Sequence, residues 1–214
     1  MDTKKKELIG QFARSGRSWT DGSLHAFDHD FGSYGSDSKA IPYGVYDTVA
    51  NEALVYLASG ADTGELAADA VRRWWHRLGR ARYTGVGGML VLADCGGSNG
   101  YRVPLYRERL HRVAVTLGIP IRVAHLPPYC SKYNPIDHRL FCHLTQALSG
   151  RLVESLPWMQ LLFSKVTTST GLKVVCELAR RVYASGIKAS KDFRENDPTL
   201  RDSLLGQFNY VMPC

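Results

Sequence analysis

Leu90-Val91-Leu92-Ala93 is an unbroken apolar run, closed by Asp94 and followed at once by Gly96-Gly97. A strand-length run with no polar member predicts a strand buried on both faces of a sheet, and such a strand needs helices on either side. The flanking sequence supplies them. Leu66, Ala67, Ala70, Val71, Trp74, Trp75 and Leu78 recur at three- and four-residue steps, with Asp62 or Thr63 as cap and Gly79 as stop. Residues 101–117 repeat the pattern, with Ser98 or Asn99 as cap and Gly118 as terminator, and residues 119–124 read as the next strand. Upstream, residues 8–12 read as a short strand and residues 14–39 as a long surface loop. Residues 41–49 and 53–58 then flank Asn51-Glu52 as the arms of a hairpin. Downstream, Pro127-Pro128 opens a loop that ends at Asn134, a good N-cap, with Pro135 at the first helical position and Asp137 two residues further on; another helix is expected over 155–166. Strand, hairpin, helix, strand, helix, strand, helix is the order of an α/β chain, a mixed sheet with helices packed on it.

With 214 residues, 44% of them hydrophobic and 22% charged, the chain can bury a core, which excludes disorder throughout. Lysine and arginine number 27 against 20 aspartate and glutamate, a formal charge of +7 that favours a polyanionic partner. The five cysteines are widely spaced and odd in number, and Asp2 and three lysines follow Met1 where a secretory segment would be apolar, so a reducing, cytoplasmic setting is expected. No apolar run approaches the roughly 18 residues of a membrane span.

Three carboxylates stand at element boundaries: Asp2 in the first strand, Asp94 at the end of the apolar run, and Asp137 at the mouth of the helix behind the double proline. If the first strand neighbours the 89–94 strand, Asp2 and Asp94 lie side by side and the helix turns Asp137 toward both. Carboxylates gathered from separate elements can hold two Mg²⁺ ions about 3.5–4 Å apart for phosphodiester chemistry. Each acid also has a purely structural employment: a terminal charge for Asp2, an Asx turn for Asp94, a capping partner of Asn134 for Asp137. Lys39 and Lys132 are candidate phosphate contacts, and Asn134 and His138 further candidate DNA contacts. His125, Cys130, His138 and Cys142 can be drawn as a zinc site, but no Cys-x-x-Cys pair supports it.

Several segments resemble the catalytic region of insertion-sequence transposases of the Azo-thirteen family. They are Asp2-Thr3-Lys4-Lys5-Lys6-Glu7-Leu8-Ile9-Gly10, Lys39-Ala40-Ile41-Pro42-Tyr43-Gly44-Val45-Tyr46-Asp47, Ala93-Asp94 with Gly96-Gly97-Ser98-Asn99-Gly100-Tyr101, residues 134–141, Thr170-Gly171-Leu172-Lys173-Val174 and Phe208-Asn209-Tyr210. Leu126-Pro127-Pro128-Tyr129 with Asn134-Pro135-Ile136 also resembles mariner-like transposases. The resemblance implies a single ribonuclease-H-like, retroviral-integrase-like catalytic domain over 1–214, with Asp2, Asp94 and Asp137 as the acidic triad. It implies Mg²⁺ as cofactor, two ions with Mn²⁺ as a substitute. The partners would be DNA, both transposon ends and target, and a second copy of the full-length protein. The setting would be the bacterial cytoplasm, at the nucleoid when DNA is bound. The family pattern has Glu where this chain has Asp137, whereas mariner-like relatives use Asp. Since only Met1 precedes Asp2, the first strand is expected to be largely missing and the N-terminal DNA-binding domain absent. The implied reaction is DNA strand cleavage and strand transfer. The alternatives are a ribonuclease-H-like nuclease and an inactive fragment that binds DNA or inhibits an intact transposase.

Overall fold

In the computed structural model, residues 1–23, 25–27 and 39–214 are described, so residues 24 and 28–38 of the loop expected over 14–39 lie outside the described residues. Nine strands are described: β1 (Asp2–Thr3), β2 (Glu7–Leu8), β3 (Lys39–Asp47), β4 (Glu52–Ala58), β5 (Met89–Ala93), β6 (Ile121–His125), β7 (Lys173–Leu178), β8 (Leu200–Arg201) and β9 (Asn209–Met212). The helices are α1 (Gly64–Trp74), α2 (Arg80–Arg82), α3 (Pro104–Leu117), α4 (Cys142–Leu148), α5 (Leu156–Ser164) and α6 (Lys191–Glu195). The architecture is α/β, with two mixed sheets flanked by helices, consistent with the expected ribonuclease-H-like class. The chain divides into two compact units, one of residues 1–2, 61–134 and 183–214, the other of residues 3–60 and 135–182.

The first unit holds the sheet β5-β6-β9-β8, in which β5 and β6 run parallel and β9 antiparallel to both β6 and β8. Thr63 caps α1, its hydroxyl accepting from the Leu66 nitrogen at 3.3 Å. Gly79 does not end this helix. A π-helical segment, Trp75–Gly79, continues into α2. A β-carbon on Gly79 would come within 2.7 Å of the Trp75 ring and 3.0 Å of the Trp74 ring, so glycine there makes room for indoles. Gly64 serves closeness as well, since a β-carbon on it would meet the Tyr106 backbone nitrogen at 2.6 Å where α1 crosses α3. The Glu65–Arg109 ion pair, 2.8 Å, ties the two helices. α3 starts later than the sequence suggests, at Pro104 with Val103 before it, and ends as expected at Gly118 in the left-handed conformation. Asn99, an expected cap, is buried elsewhere. β5 is also not buried on both faces: Val91 and Ala93 are covered, while Leu90 is 61% and Leu92 39% exposed. An all-apolar run reads the same whether one face of its sheet is covered or two.

The second unit is built on β3, β4 and β7, neighbours in that order, with β2 alongside β3. The expected hairpin forms β3 and β4, in register from Ile41 opposite Ala58 to Asp47 opposite Glu52. β7, which the sequence left unassigned, pairs parallel to β4. α5 begins at the expected place, with the Ser155 hydroxyl accepting from the Trp158 nitrogen. Its Met159 and Phe163 join Leu144 and Leu140 in a core against Val55 and Leu57 of β4. Helical conformation before α4 begins at Pro135, as expected, but residues Asp137–Phe141 are π-helical. Such widened turns are rare and frequently occur at functional sites. Among the described residues no helix is long and apolar enough to cross a membrane.

Candidate active site

In the first unit, β5 delivers Asp94, and a set of hydrogen bonds fixes the strand end. The Leu126 nitrogen donates to the Ala93 carbonyl at 2.8 Å, and the Cys95 thiol donates to the Leu126 carbonyl at 2.7 Å. His125, at the end of β6, stands 2.7 Å from the Asp94 carbonyl through Nδ1 and 3.0 Å from the Tyr210 hydroxyl through Nε2. A carbonyl oxygen only accepts, so Nδ1 carries the proton and Nε2 accepts from the tyrosine, which defines one neutral tautomer. Burial lowers the pKa of His125, against the opposing pull of Asp94, so the ring is neutral at pH 7. The Tyr210 phenol is pushed up by burial and remains a donor.

Asp2 comes to the same place through Met1. The Met1 nitrogen donates to the Leu92 carbonyl at 2.7 Å, and the buried Asn99 amide donates to the Met1 carbonyl at 3.4 Å. The Tyr106 hydroxyl lies 3.5 Å from the Met1 sulfur. These contacts hold Asp2 beside the end of β5. The two carboxylates then share one partner: Asn134 Nδ2 donates to Asp2 Oδ2 at 3.2 Å and to Asp94 Oδ1 at 3.2 Å. Carboxylate oxygens accept, which turns the nitrogen end of the amide toward them, one hydrogen to each. The two carboxylate oxygens are therefore no further apart than twice 3.2 Å. Asn134, only 2% exposed, thus has its amide nitrogen inside the site; it stands extended immediately before Pro135, where a cap was expected, and is no surface contact.

Asp137 belongs to the second unit. It is half-buried at the start of the π-helical segment, on a helix anchored by Ile136, Leu140 and Phe141 in that unit's core. Gly44 of β3 permits this packing, since a β-carbon there would fall 2.6 Å from Phe141 Cε1 and 2.9 Å from Ile136 Cδ1. Asp137 also lines a cavity of about 560 Å³ in the same unit. Of the expected DNA contacts, Lys39 is half-buried at the start of β3 opposite Leu8, and His138 is exposed beside Asp137. Lys132 is exposed in a short 3₁₀ turn, its ammonium 5.0 Å from the centre of the Tyr133 ring.

The structure thus brings Asp2 and Asp94 together on Asn134, and carries Asp137 on the other unit. Among the described residues no three His, Cys, Asp or Glu side chains gather as a metal-binding group. His125 is not available to zinc, since both its ring nitrogens are engaged. What the pair Asp2–Asp94 offers is two carboxylates that share the neutral Asn134 amide. Hard, anionic oxygens of that kind fit Mg²⁺, which completes its shell with water and substrate oxygens. His125 and Tyr210 are contributors that the sequence does not reveal, because their partners lie 31 and 85 positions away.

The family model of the Rhodopirellula transposase DDE domain matches residues 1–213. The chain belongs to this transposase family. No curated protein and no solved structure matches it. Membership makes DNA the partner of this transposase domain and agrees with the α/β architecture.

Proposed function

We propose that this transposase domain cuts and joins DNA strands with Asp2, Asp94 and Asp137 as its acidic triad, serving two Mg²⁺ ions. The observation that carries the reading is the meeting of Asp2 and Asp94 on the Asn134 amide, two acids 92 positions apart in sequence held within hydrogen-bond reach of one nitrogen. Carboxylates side by side repel each other, and a folded chain keeps them together where cations are to be received. Bound there, the ions would make the attacking oxygen more nucleophilic and stabilise the leaving oxygen.

The chain's own residues do the positioning. His125 holds the Asp94 backbone and Tyr210 fixes the tautomer that does so, while Met1 and Asn99 hold Asp2. Asn134 keeps the two carboxylates aimed at a common point. In the first step water attacks a backbone phosphorus and a 3′-hydroxyl leaves; in the second that 3′-hydroxyl attacks a phosphorus of target DNA and displaces another 3′-hydroxyl. Each step exchanges one P–O bond for another. The shorter Asp137 in the family's glutamate position is read as the third acid, as in mariner-like transposases, and its place at the head of a π-helical turn supports that role.

The test is nicking of supercoiled DNA by the full chain with Mg²⁺ beside Asp94→Ala. Nicking is expected from the parent and only assay background from the variant; equal activity in both refutes the triad. Transfer of oligonucleotides carrying the element's ends into a target plasmid completes the test, and cleavage without joining would indicate a nuclease.

A further inference from the structure

The 560 Å³ cavity of the second unit is lined on one side by the basic segment after β1 and on the other by the helix that starts at Asp137. Lys4, Lys5, Lys6 and Arg14 face it, against two carboxylates, Glu7 and Asp137. The cations divide into two kinds. Lys4, 6% exposed, and Arg14 are both paired with Glu7, and Arg14 also donates to the Leu8 carbonyl, so these two build the wall. Lys5 and Lys6 are exposed, and among the described residues neither has an ion-pair partner. Glu7 thus serves the wall cations, and two solvated ammonium groups are left at the rim beside Asp137.

The opposite wall is a single stripe of the π-helical segment and α4, with Asp137, Cys142, Thr145 and Ser149 following one another at helical steps. Cross-links hold the two walls at a fixed spacing. The Ser149 hydroxyl and the Gly150 nitrogen both donate to the Ser15 carbonyl, at 2.9 and 3.0 Å. The Gly10 nitrogen donates to the Val153 carbonyl at 2.8 Å, and Arg14 reaches the Arg151 carbonyl at 3.3 Å. The cavity is therefore formed in advance, and its volume falls in the range of roughly 300–1,000 Å³ that receives ligands of small-molecule size. A duplex is far too large for it; a nucleotide of single strand is not.

We propose that this cavity seats the sugar-phosphate backbone of a single DNA strand beside Asp137, with Lys5 and Lys6 as its phosphate contacts. The catalytic meaning of a strand beside Asp137 rests on the triad reading above, but the binding itself does not. Lysine is a flexible point charge suited to a moving phosphate.

The experiment measures binding of a fluorescein-labelled single-stranded oligonucleotide to the full chain in EDTA, over a range of salt. Lys5→Glu/Lys6→Glu is expected to weaken binding at least tenfold at low salt. Lys5→Ala/Lys6→Ala should lower the salt slope by about 1.4, since each phosphate of a single strand that is no longer neutralised removes about 0.7. A control pair on the first unit, Lys188→Glu/Lys191→Glu, should bind within twofold of the parent. Cys142 on the cavity wall and the exposed Cys214 give a second readout: saturating oligonucleotide should slow maleimide labelling of Cys142 several-fold and leave Cys214 unchanged. Parental affinity and slope in both Lys5/Lys6 variants, or undiminished labelling of Cys142, overturns the proposal. Intact strand binding by the parent together with nicking that Asp94→Ala does not diminish would instead remove the triad reading and leave the seat standing.

Discussion

Replacing Asn134 by alanine takes away the amide that two carboxylates share. Its two hydrogen bonds, 3.2 Å each, are at the long end of the normal range. Bonds to charged groups contribute about 1.5–3 kcal/mol apiece, and for long bonds to half-exposed acceptors the lower figure applies, about 3 kcal/mol for the two. Two unit charges separated by twice 3.2 Å repel by about 2.6 kcal/mol at an effective dielectric constant near 20. That repulsion is present in the parent and is partly relieved in the variant, where the acids can swing apart. The net expectation is a loss of about 2 kcal/mol in urea unfolding at pH 7 in EDTA. The same substitution in an Asp2→Ala/Asp94→Ala background should cost less than half as much, since both charged acceptors have gone. Independent sites add within about 0.5 kcal/mol, so a double-mutant cycle resolves the difference. An equal loss in both backgrounds, or one below about 0.5 kcal/mol, would show that the amide does not join the two acids and would refute the shared-partner reading.

Two further outcomes are expected. His125→Gln should destabilise the protein by about 1–3 kcal/mol at pH 8, by leaving Asp94 and Tyr210 imperfectly partnered. Burial depresses the folded pKa of His125 below its ordinary value of about 6.5, so between the two values the unfolded chain holds more protons. Parent stability is accordingly complete above about pH 6.5 and lost as pH falls below it, and unfolding curves of His125→Gln should show a smaller drop over that interval. Gly44→Ala should cost about 1–3 kcal/mol by driving a methyl group into Phe141 and Ile136, and it should reduce nicking because the displaced helix carries Asp137. Unchanged melting in that variant would mean the contact is slack.

The elements were largely legible. Local chemistry writes them: Thr63 and Ser155 cap where hydroxyls precede apolar periodicity, Gly118 ends a helix because it alone tolerates the left-handed turn, and the hairpin pattern forms β3 and β4. The misreadings have two causes. Gly79 looks like a stop but is a clearance for two indoles of the preceding turn, whose ring placement spacing alone does not give. Leu90 and Leu92 look buried but face solvent, because what covers a sheet face lies outside the local window. The strands β7, β8 and β9 were illegible for the same reason, being short and stabilised by pairing across long sequence intervals.

By itself the sequence determined the α/β class, the strand that ends in Asp94, the helix that opens at Pro135, and a basic chain with acids at element ends. Those features depend on residues a few positions apart. Only the tertiary structure decided that Asp2 and Asp94 face one amide, that His125 and Tyr210 brace the strand between them, and that Asp137 begins a π-helical turn on a preformed basic cavity. Those depend on hydrogen bonds between residues as many as 132 positions apart, whose partners no local pattern encodes.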